Sequence, residues 1–451
     1  MNTLETRDHG AVVVLGALFA GRYPSLLPAA AARGLTILAI DAPTPFKLKV
    51  DAARRADPGH PLAGIDDLVW IGGDRHEDVT EQVLAWTRQH RVRGVLAFGE
   101  DFVEAAGLVT DLLGLPSPGL RASRVCRNKH LQRRYLSAWS PRALLLPPGD
   151  DQRLSTVIEH AWRTFPAVLK PVGREASSGV QRVDDVDALA TALGEYDATE
   201  PLLLEELVSG HEVSVEALVQ DGHILFASVT GKLTNEADSD FFVEMGHTVP
   251  DPQLGDETRA AVLATNRAVL ERLAFSDGIA HAEYRIGADG RAVLMELAAR
   301  APGDSIVSLY HLATGEPMEA ALLDIAIGER ATYPAPSRFA RQVYVPHRPG
   351  VLRDVSVDGL AVPVTWLPER WAWPDVHATT GNRPGRVHMV VSGRSKGDEL
   401  SAVRQSGDRL LMYVIDAPTA RELDAMQEQC DRLISVQVDG QVDGGVEEVA
   451  T

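Results

Sequence analysis

Apolar and polar positions along this chain follow two different periods, and the switch between them divides it. Near the start, "AVVVLG" (11–16) and "LTILAID" (35–41) are short, almost wholly apolar runs, as in strands buried on both faces, and "YPSLLPAAAARG" (23–34) between them reads as a helix. Val79, Val83, Trp86 and His90 recur at helical spacing, and "GVLAFGED" (94–101) follows as another buried strand with an acidic end. Strands alternating with helices close as a parallel sheet flanked by helices, so residues 1–122 are predicted to form a βαβ domain. Gly16 and Gly21 lack the spacing of a dinucleotide-binding fingerprint, which leaves an NAD site with little support.

From about Ala122 the texture changes. "RNKHLQRRYL" (127–136) is a basic helix, "FPAVLKPV" (165–172) a strand, "GREASSGV" (173–180) a small-residue loop and "DDVDALATALGEY" (184–196) a helix with an acidic start. Within 201–232, Val213, Val215 and Ala217 alternate with Glu212, Ser214 and Glu216, as in strands with one buried and one polar face, and Asp221-Gly222 reverses the chain. An irregular stretch (233–255) precedes a long helix (256–275) and a hairpin. Residues 123–205 and 206–330 are read as two parts of one central region. Beyond Ala331 the sequence is rich in Val, Pro and Gly, which predicts a smaller, mostly strand-built unit over 331–440; residues 438–451 read as a loose acidic tail, flexible over 441–451.

Composition narrows the function. The chain has 451 residues, 45% of them hydrophobic, and its 44 basic against 63 acidic residues give a formal charge of -19, which opposes docking on nucleic acid or anionic lipid and favours small-molecule partners. Cys126 and Cys430 lie far apart without metal-ligand spacing, so neither a disulfide framework nor a zinc site is expected. Met1 to Gly10 is polar, without a signal-peptide core, and no run reaches the length of about 20 apolar residues needed for a membrane span; a cytoplasmic location is expected. A homodimer is the default assembly.

The hairpin "IAHAEYRIGADGRAVLMELAAR" (279–300) carries the sharpest chemistry. Asp289-Gly290 predicts a two-residue turn in which Ala288 faces Arg291, and counting back from it brings Glu283 opposite Glu296. Like charges at that spacing repel, so a raised pKa, a nearby cation or a bound metal must offset them. Magnesium is the preferred answer, since paired carboxylates with room for water and phosphate oxygens are how this hard ion is held; manganese is a possible substitute. The plainer alternative is an exposed hairpin whose glutamates turn outward, and a three-residue Ala-Asp-Gly loop would shift the register by one.

Other residues gather round this pair. Lys170 ends a strand and precedes Gly173, Ser177, Ser178 and Gly179, a loop whose backbone N–H groups are able to approach phosphate oxygens, although no GxxxxGK[ST] motif is present. Lys129 is a second candidate phosphate ligand, and Glu205 and Glu206 end a strand that offers a backbone edge and a carboxylate to an adenine and ribose. Lys232 and His247 fall on or beside the irregular stretch, where a flexible segment would carry them over a site. Arg300 lies near Glu296 with a planar fork suited to a carboxylate or acyl phosphate, and Gly303 lets the chain turn without an intruding side chain. Each of these residues, taken alone, is as well explained by ordinary surface polarity.

Taken in order, "VLKPVGREASSGV", "LLLEELVSGHEVSVEAL", "HAEYRI" and "LMELAARAPGD" resemble the ATP-grasp superfamily over roughly Ser123 to Ile327. Within it, "ELAARAPGD" looks most like the bacterial L-amino acid ligases of the bacilysin-synthetase type, which form dipeptides. The resemblance implies an α/β (α+β) fold with an N-terminal pre-ATP-grasp βαβ domain, a lid within 123–205, a central antiparallel sheet holding the magnesium and ATP site, and a C-terminal extension. It implies that Lys129 and Lys170 bind ATP phosphates, that Glu205, Glu206 and Val208 sit at the adenine hinge with Glu212 near the ribose, and that Glu283 and Glu296 hold magnesium. Arg300 and Gly303 would then face the acyl phosphate and a substrate carboxylate, His247 the reacting groups, and Glu100 a substrate ammonium. Ala298 stands where many members of the superfamily have Asn, as it does in the dipeptide ligases; this bears on how many magnesium ions are held. The implied reaction is ADP-forming activation of a carboxylate followed by capture by an amine. A carboxylase-like or ribonucleotide-acting member, or a nucleotide-binding module without chemistry, are the alternatives.

Overall fold

The computed structural model describes residues 10–379 and 381–439. Met1 to His9 and the tail predicted to be flexible over 441–451 fall outside them.

The first sheet has β1 (Ala11–Leu15), β2 (Thr36–Asp41), β3 (Asp67–Trp70) and β4 (Val92–Ala97), all parallel in the order β3-β2-β1-β4. All five residues of β1 are buried, because helices cover both faces of the sheet, and this is why the strand reads as an uninterrupted apolar run. Glu100 follows β4 on a short 3-10 turn (Glu100–Phe102), at the carboxyl ends of the strands.

A second sheet, β5 (Ala143–Leu146), β6 (Ala167–Pro171), β7 (Gln181–Val183) and β8 (Leu202–Glu206), is antiparallel in the order β5-β8-β6-β7. It carries Lys170 and Glu205. The large sheet begins with β9 (His211–Gln220), β10 (His223–Thr234), β11 (Glu244–Val249), β12 (Gly278–Ile286), β13 (Ala292–Ala298) and β14 (Phe339–Val345). Asp221 and Gly222 both have positive φ, 51° and 75°, so the predicted tight reversal is there.

Several strands of the segment beyond Ala331, expected to be a smaller strand-built unit, join the central sheet. After β15 (Gly350–Val357) come β16 (Val364–Trp366), β17 (Arg386–Ser392), β18 (Glu399–Leu400), β19 (Leu411–Ala417) and β20 (Ile434–Asp439). Strands β14, β19, β17 and β16 extend the central sheet to nine strands, in the order β13-β12-β9-β10-β11-β14-β19-β17-β16; only β18-β15-β20 stand apart. Val438 and Asp439, predicted to begin the loose tail, pair with β15.

Alternation on the large sheet decides which side chains pack against the long helix and which lie on the opposite face. Val213, Val215, Ala217 and Val219 of β9 and Ala280, Ala282 and Tyr284 of β12 pack against Val262, Val269 and Leu273 of the helix Asp256–Leu273. Glu212, Ser214, Glu216, His281, Glu283 and Arg285 are therefore turned to the other face. The hairpin register departs from the predicted one near its turn. Gly287 pairs with Arg291 across a three-residue Ala288-Asp289-Gly290 loop, and Tyr284 faces Leu294, one residue out of the predicted pairing. A bulge at Met295 restores it, so Glu283 does face Glu296. Without that extra residue Glu296 would share the buried face of Leu294. The Met295 carbonyl accepts a hydrogen bond from Arg133 (2.6 Å).

Candidate active site

The three sheets meet round a cavity of about 570 Å³, a size ordinary for small-molecule sites. Of the residues singled out in the sequence, Glu100, Lys129, Lys170, Ser177, Glu205, Glu206, Val208, Glu212, His247, Glu283, Glu296, Arg300 and Gly303 line it. Lys232, Ser178 and Gly179 are not among the lining residues. Lys232 lies behind the wall, its side chain fully buried, and Gly179 packs under the Tyr196 ring, whose hydroxyl donates to its carbonyl.

The basic helix Lys129–Tyr135 is capped by Asn128, whose side chain accepts from the Leu131 amide, and this places Lys129 at its first turn, facing the cavity. Gln132 bonds both ways to the Leu297 backbone and locks the helix onto β13 beside Glu296. Lys129 Nζ reaches Glu296 at 3.0 Å and the Arg174 carbonyl at 2.6 Å. Glu283 is held by Lys232 and, at 3.1 Å, by His281 Nε2. The cross-strand repulsion is thus offset by cations, a different lysine for each glutamate. Burial alone would depress the His281 imidazole, but hydrogen bonds to Glu216 and Glu283 outweigh it and raise its pKa to about 9.

Glu205 is engaged differently from the expectation. Its carboxylate receives Arg133 (2.6 and 3.1 Å) and Lys170 (2.7 Å), with all three side chains buried. Burial would raise its pKa; the two cations more than reverse this and hold it at about 2. Glu206 accepts from the Arg142 amide. Glu205 is thus engaged by two cations and Glu206 by one backbone amide, and Leu207 and Val208 line the cavity beside them. Glu212 is clasped by Arg285, which also bonds Glu236 and the Val208 carbonyl.

Lys232 and His247 are not on a flexible segment. They face one another across the β10–β11 ladder, because "EMGHTV" is a strand paired on both sides. Glu244, which the sequence reading passed over, bonds Lys232 at 2.6 Å, and its carboxylate lies within 4.8 Å of those of Glu212 and Glu283. His247 Nε2 bonds Asp304 (2.9 Å), and Asp304 is also held by Tyr344 (2.8 Å) and by both terminal nitrogens of Arg409 (2.8 Å each). Arg300 is paired with Glu100, which Arg127 also approaches at 3.4 Å. Glu100 thus already has two guanidinium partners, and a substrate ammonium would have to displace them. A Cβ at Gly303 would meet nothing within 4 Å, so the open space there belongs to the cavity. The loop 173–180 is tied by Arg174 to Glu200 (2.8 and 2.6 Å) and by the Ala176 carbonyl, which accepts from the Ser406 amide (3.0 Å); Ala176 and Ser177 both have positive φ.

This cavity is walled by a small antiparallel sheet with its lysine and by a larger one with its paired glutamates, an arrangement with the ATP-grasp fold, and residues 163–308 match the ATP-grasp domain family. More particularly, the chain is similar to L-amino acid ligases. It is 21% identical over 315 residues to alanine–anticapsin ligase of Bacillus subtilis, covering 62% of this chain and 63% of that protein. It is 25% identical over 230 residues to the ATP-grasp enzyme fsqD of Aspergillus fumigatus, covering 47% of this chain and 38% of the relative. The chain thus spans less than two thirds of the curated relatives it matches. A crystal structure of an L-amino acid ligase from Bacillus licheniformis superposes with a TM-score of 0.71 at 20% identity, over 96% of this chain and all of that one. Phosphoribosylglycinamide synthetase from Anaerococcus prevotii gives 0.65 at 14%, over 95% and 100%. Among the described residues no helix is long and apolar enough to cross a membrane, and both cysteines are buried and free.

Proposed function

We propose that this protein is an ATP-dependent carboxylate–amine ligase that joins two amino acids into a dipeptide, releasing ADP and phosphate. The observation that carries the reading is the pair Glu283 and Glu296, opposed across a bulged hairpin and facing the same cavity as Lys129, Lys170 and Arg300. The donor set fits magnesium, since Glu283, Glu296, Glu212 and Glu244 offer carboxylate oxygens only, as a hard cation requires. Glu283 and Glu296 would hold the ion, which when bound offsets charge on the phosphate oxygens.

The residues divide the remaining work. Lys129 and Lys170 lie where they can transfer from Glu296 and Glu205 to phosphate oxygens, and Leu207 and Val208 form the apolar edge for a base. A carboxylate oxygen of the first substrate attacks the γ-phosphorus, the bond to the β-phosphate oxygen breaks, and ADP leaves; the protein's part is positioning and electrostatic stabilisation. The second substrate's amine then attacks the acyl carbon, and phosphate leaves. Arg300, beside the open space at Gly303, stabilises the oxyanion. His247, fixed by Asp304, is placed to take the amine proton, and the tied loop 173–180 excludes water that would hydrolyse the intermediate.

The test incubates the protein with ATP, magnesium and pooled amino acids, following ADP release and product masses. A product equal in mass to two amino acids less water is expected; ADP release with bicarbonate or a nucleotide, and with no amino acid, would overturn the dipeptide reading.

A further inference from the structure

The cavity has a second end that the proposed chemistry does not use. The 3-10 turn Ala17–Arg22 and the segment Trp371–Trp373 wall it together, although they lie at opposite ends of the sequence. Their contact is close: the Trp373 amide donates to the Gly21 carbonyl (2.9 Å), and a Cβ at Gly21 would run into the Trp371 carbonyl oxygen. Tyr23 ties this end to the reacting loop, its hydroxyl donating to the Pro302 carbonyl (2.8 Å), next to Gly303.

Charge here is unbalanced. Arg174, Arg285, Arg300 and Arg409 all line the cavity and each holds a carboxylate. Arg22 also lines it but has no hydrogen-bond or ion-pair partner among the described residues; what it touches are ring faces, with its guanidinium carbon 5.2 Å from the centre of Phe19 and 5.7 Å from that of Trp373. Trp373 is only 7% exposed, yet its indole N–H has no partner, and neither has that of Trp371. A recess that offers an unpaired guanidinium between aromatic walls is complementary to an anion attached to a flat apolar body.

We infer that this recess binds the acceptor amino acid, with Arg22 holding the carboxylate that does not react and Phe19, Trp371 and Trp373 enclosing an aromatic side chain. The assignment to the acceptor rests on the ligase reading, in which the first substrate's carboxylate is consumed and only the second keeps a free one.

The test measures equilibrium binding to the whole protein by tryptophan fluorescence, with L-phenylalanine, L-phenylalaninamide and L-alanine as probes, beside ADP release in the amino acid pool. L-phenylalanine should bind about 10- to 100-fold more tightly than its amide, the range for losing one charge-assisted hydrogen-bonded contact. Arg22→Ala should lose that same factor for L-phenylalanine while binding the amide as the wild type does, and Arg22→Lys should recover part of it. The amide also serves as the control for folding of the variant. Equal binding of acid and amide, equal weakening of both by Arg22→Ala, tighter binding of L-alanine, or no binding of L-phenylalanine would each overturn the recess. Turnover of the pool with the Arg22→Ala KM unchanged would sink the recess and leave the ligase standing. Arg22-dependent binding without ADP release from any acceptor would keep the recess and remove the ligase.

Discussion

The two ends of the cavity treat charge in opposite ways. Where β6, β8, β12 and β13 converge, each lysine and glutamate already has an internal partner: Lys170 on Glu205, Lys129 on Glu296, Lys232 on Glu244 and Glu283. Where the Ala17–Arg22 turn meets Trp371–Trp373, Arg22 has none among the described residues, and Glu319, buried against the Ser25 amide, has a carboxylate oxygen with no partner. On the ligase reading the difference is functional. A wall that receives a polyanion and releases it each turnover benefits from cations parked on carboxylates, because binding then exchanges partners instead of desolvating bare charge. A recess that selects one small anion gains most from a cation left unpaired.

Removing a member of the paired wall should have the largest effects. Glu296→Ala is expected to reduce ADP release to background with every acceptor, as is stripping divalent cations with EDTA, reversed by added magnesium; near-normal turnover by the variant would erase the distinction between the two ends. Glu205→Ala should act on stability. It leaves Arg133 and Lys170 buried without their counter-charge, for which a loss of about 3–5 kcal/mol is expected in urea titrations. A loss below about 1 kcal/mol would mean that water already reaches those cations, against the burial described.

How much of this was readable from the residues follows the same division. The paired wall was legible because its information is local. Alternation of Val213, Val215 and Ala217 with Glu212, Ser214 and Glu216 told which face of β9 was polar, and the Asp289-Gly290 turn brought Glu283 opposite Glu296. Even there the pairing near the turn was one residue out, because the loop has three residues, Ala288-Asp289-Gly290, and nothing local announces the bulge at Met295 that restores the register. Strand β11 was missed because "EMGHTV" becomes a strand through pairing with β14, almost a hundred positions later. Arg409, which fixes Asp304, and the recess itself join residues still further apart, and no spacing rule connects Arg22 with Trp373.

The smaller effects sharpen the contrast. Glu319 accepts from the Ser25 amide at 3.3 Å, and burial pushes its pKa up to about 7 from an ordinary 4.5. A raised carboxyl favours folding fully below its unfolded value, and that contribution is lost as pH rises through the folded one. Wild type should therefore lose about 3 kcal/mol relative to Glu319→Gln between pH 4.5 and 8. Urea unfolding of both proteins across that range checks it, and a pH-independent difference would show that Glu319 has a counter-charge after all.

Gly290→Ala should be the mildest change and the most selective. Gly290 holds φ at +76° in the hairpin loop, and a Cβ there would meet nothing within 4 Å, so the cost is backbone conformation alone, about 1 kcal/mol. The loop lies on the turn side of the Met295 bulge, whereas Glu296 is fixed from the other side by Lys129 and by Gln132 on Leu297. Melting should therefore shift slightly while ADP release stays unchanged. If activity fell further than stability, the bulge would not insulate the glutamate pair from its own turn, and the register that opposes Glu283 to Glu296 would depend on the loop and not on the helix Lys129–Tyr135.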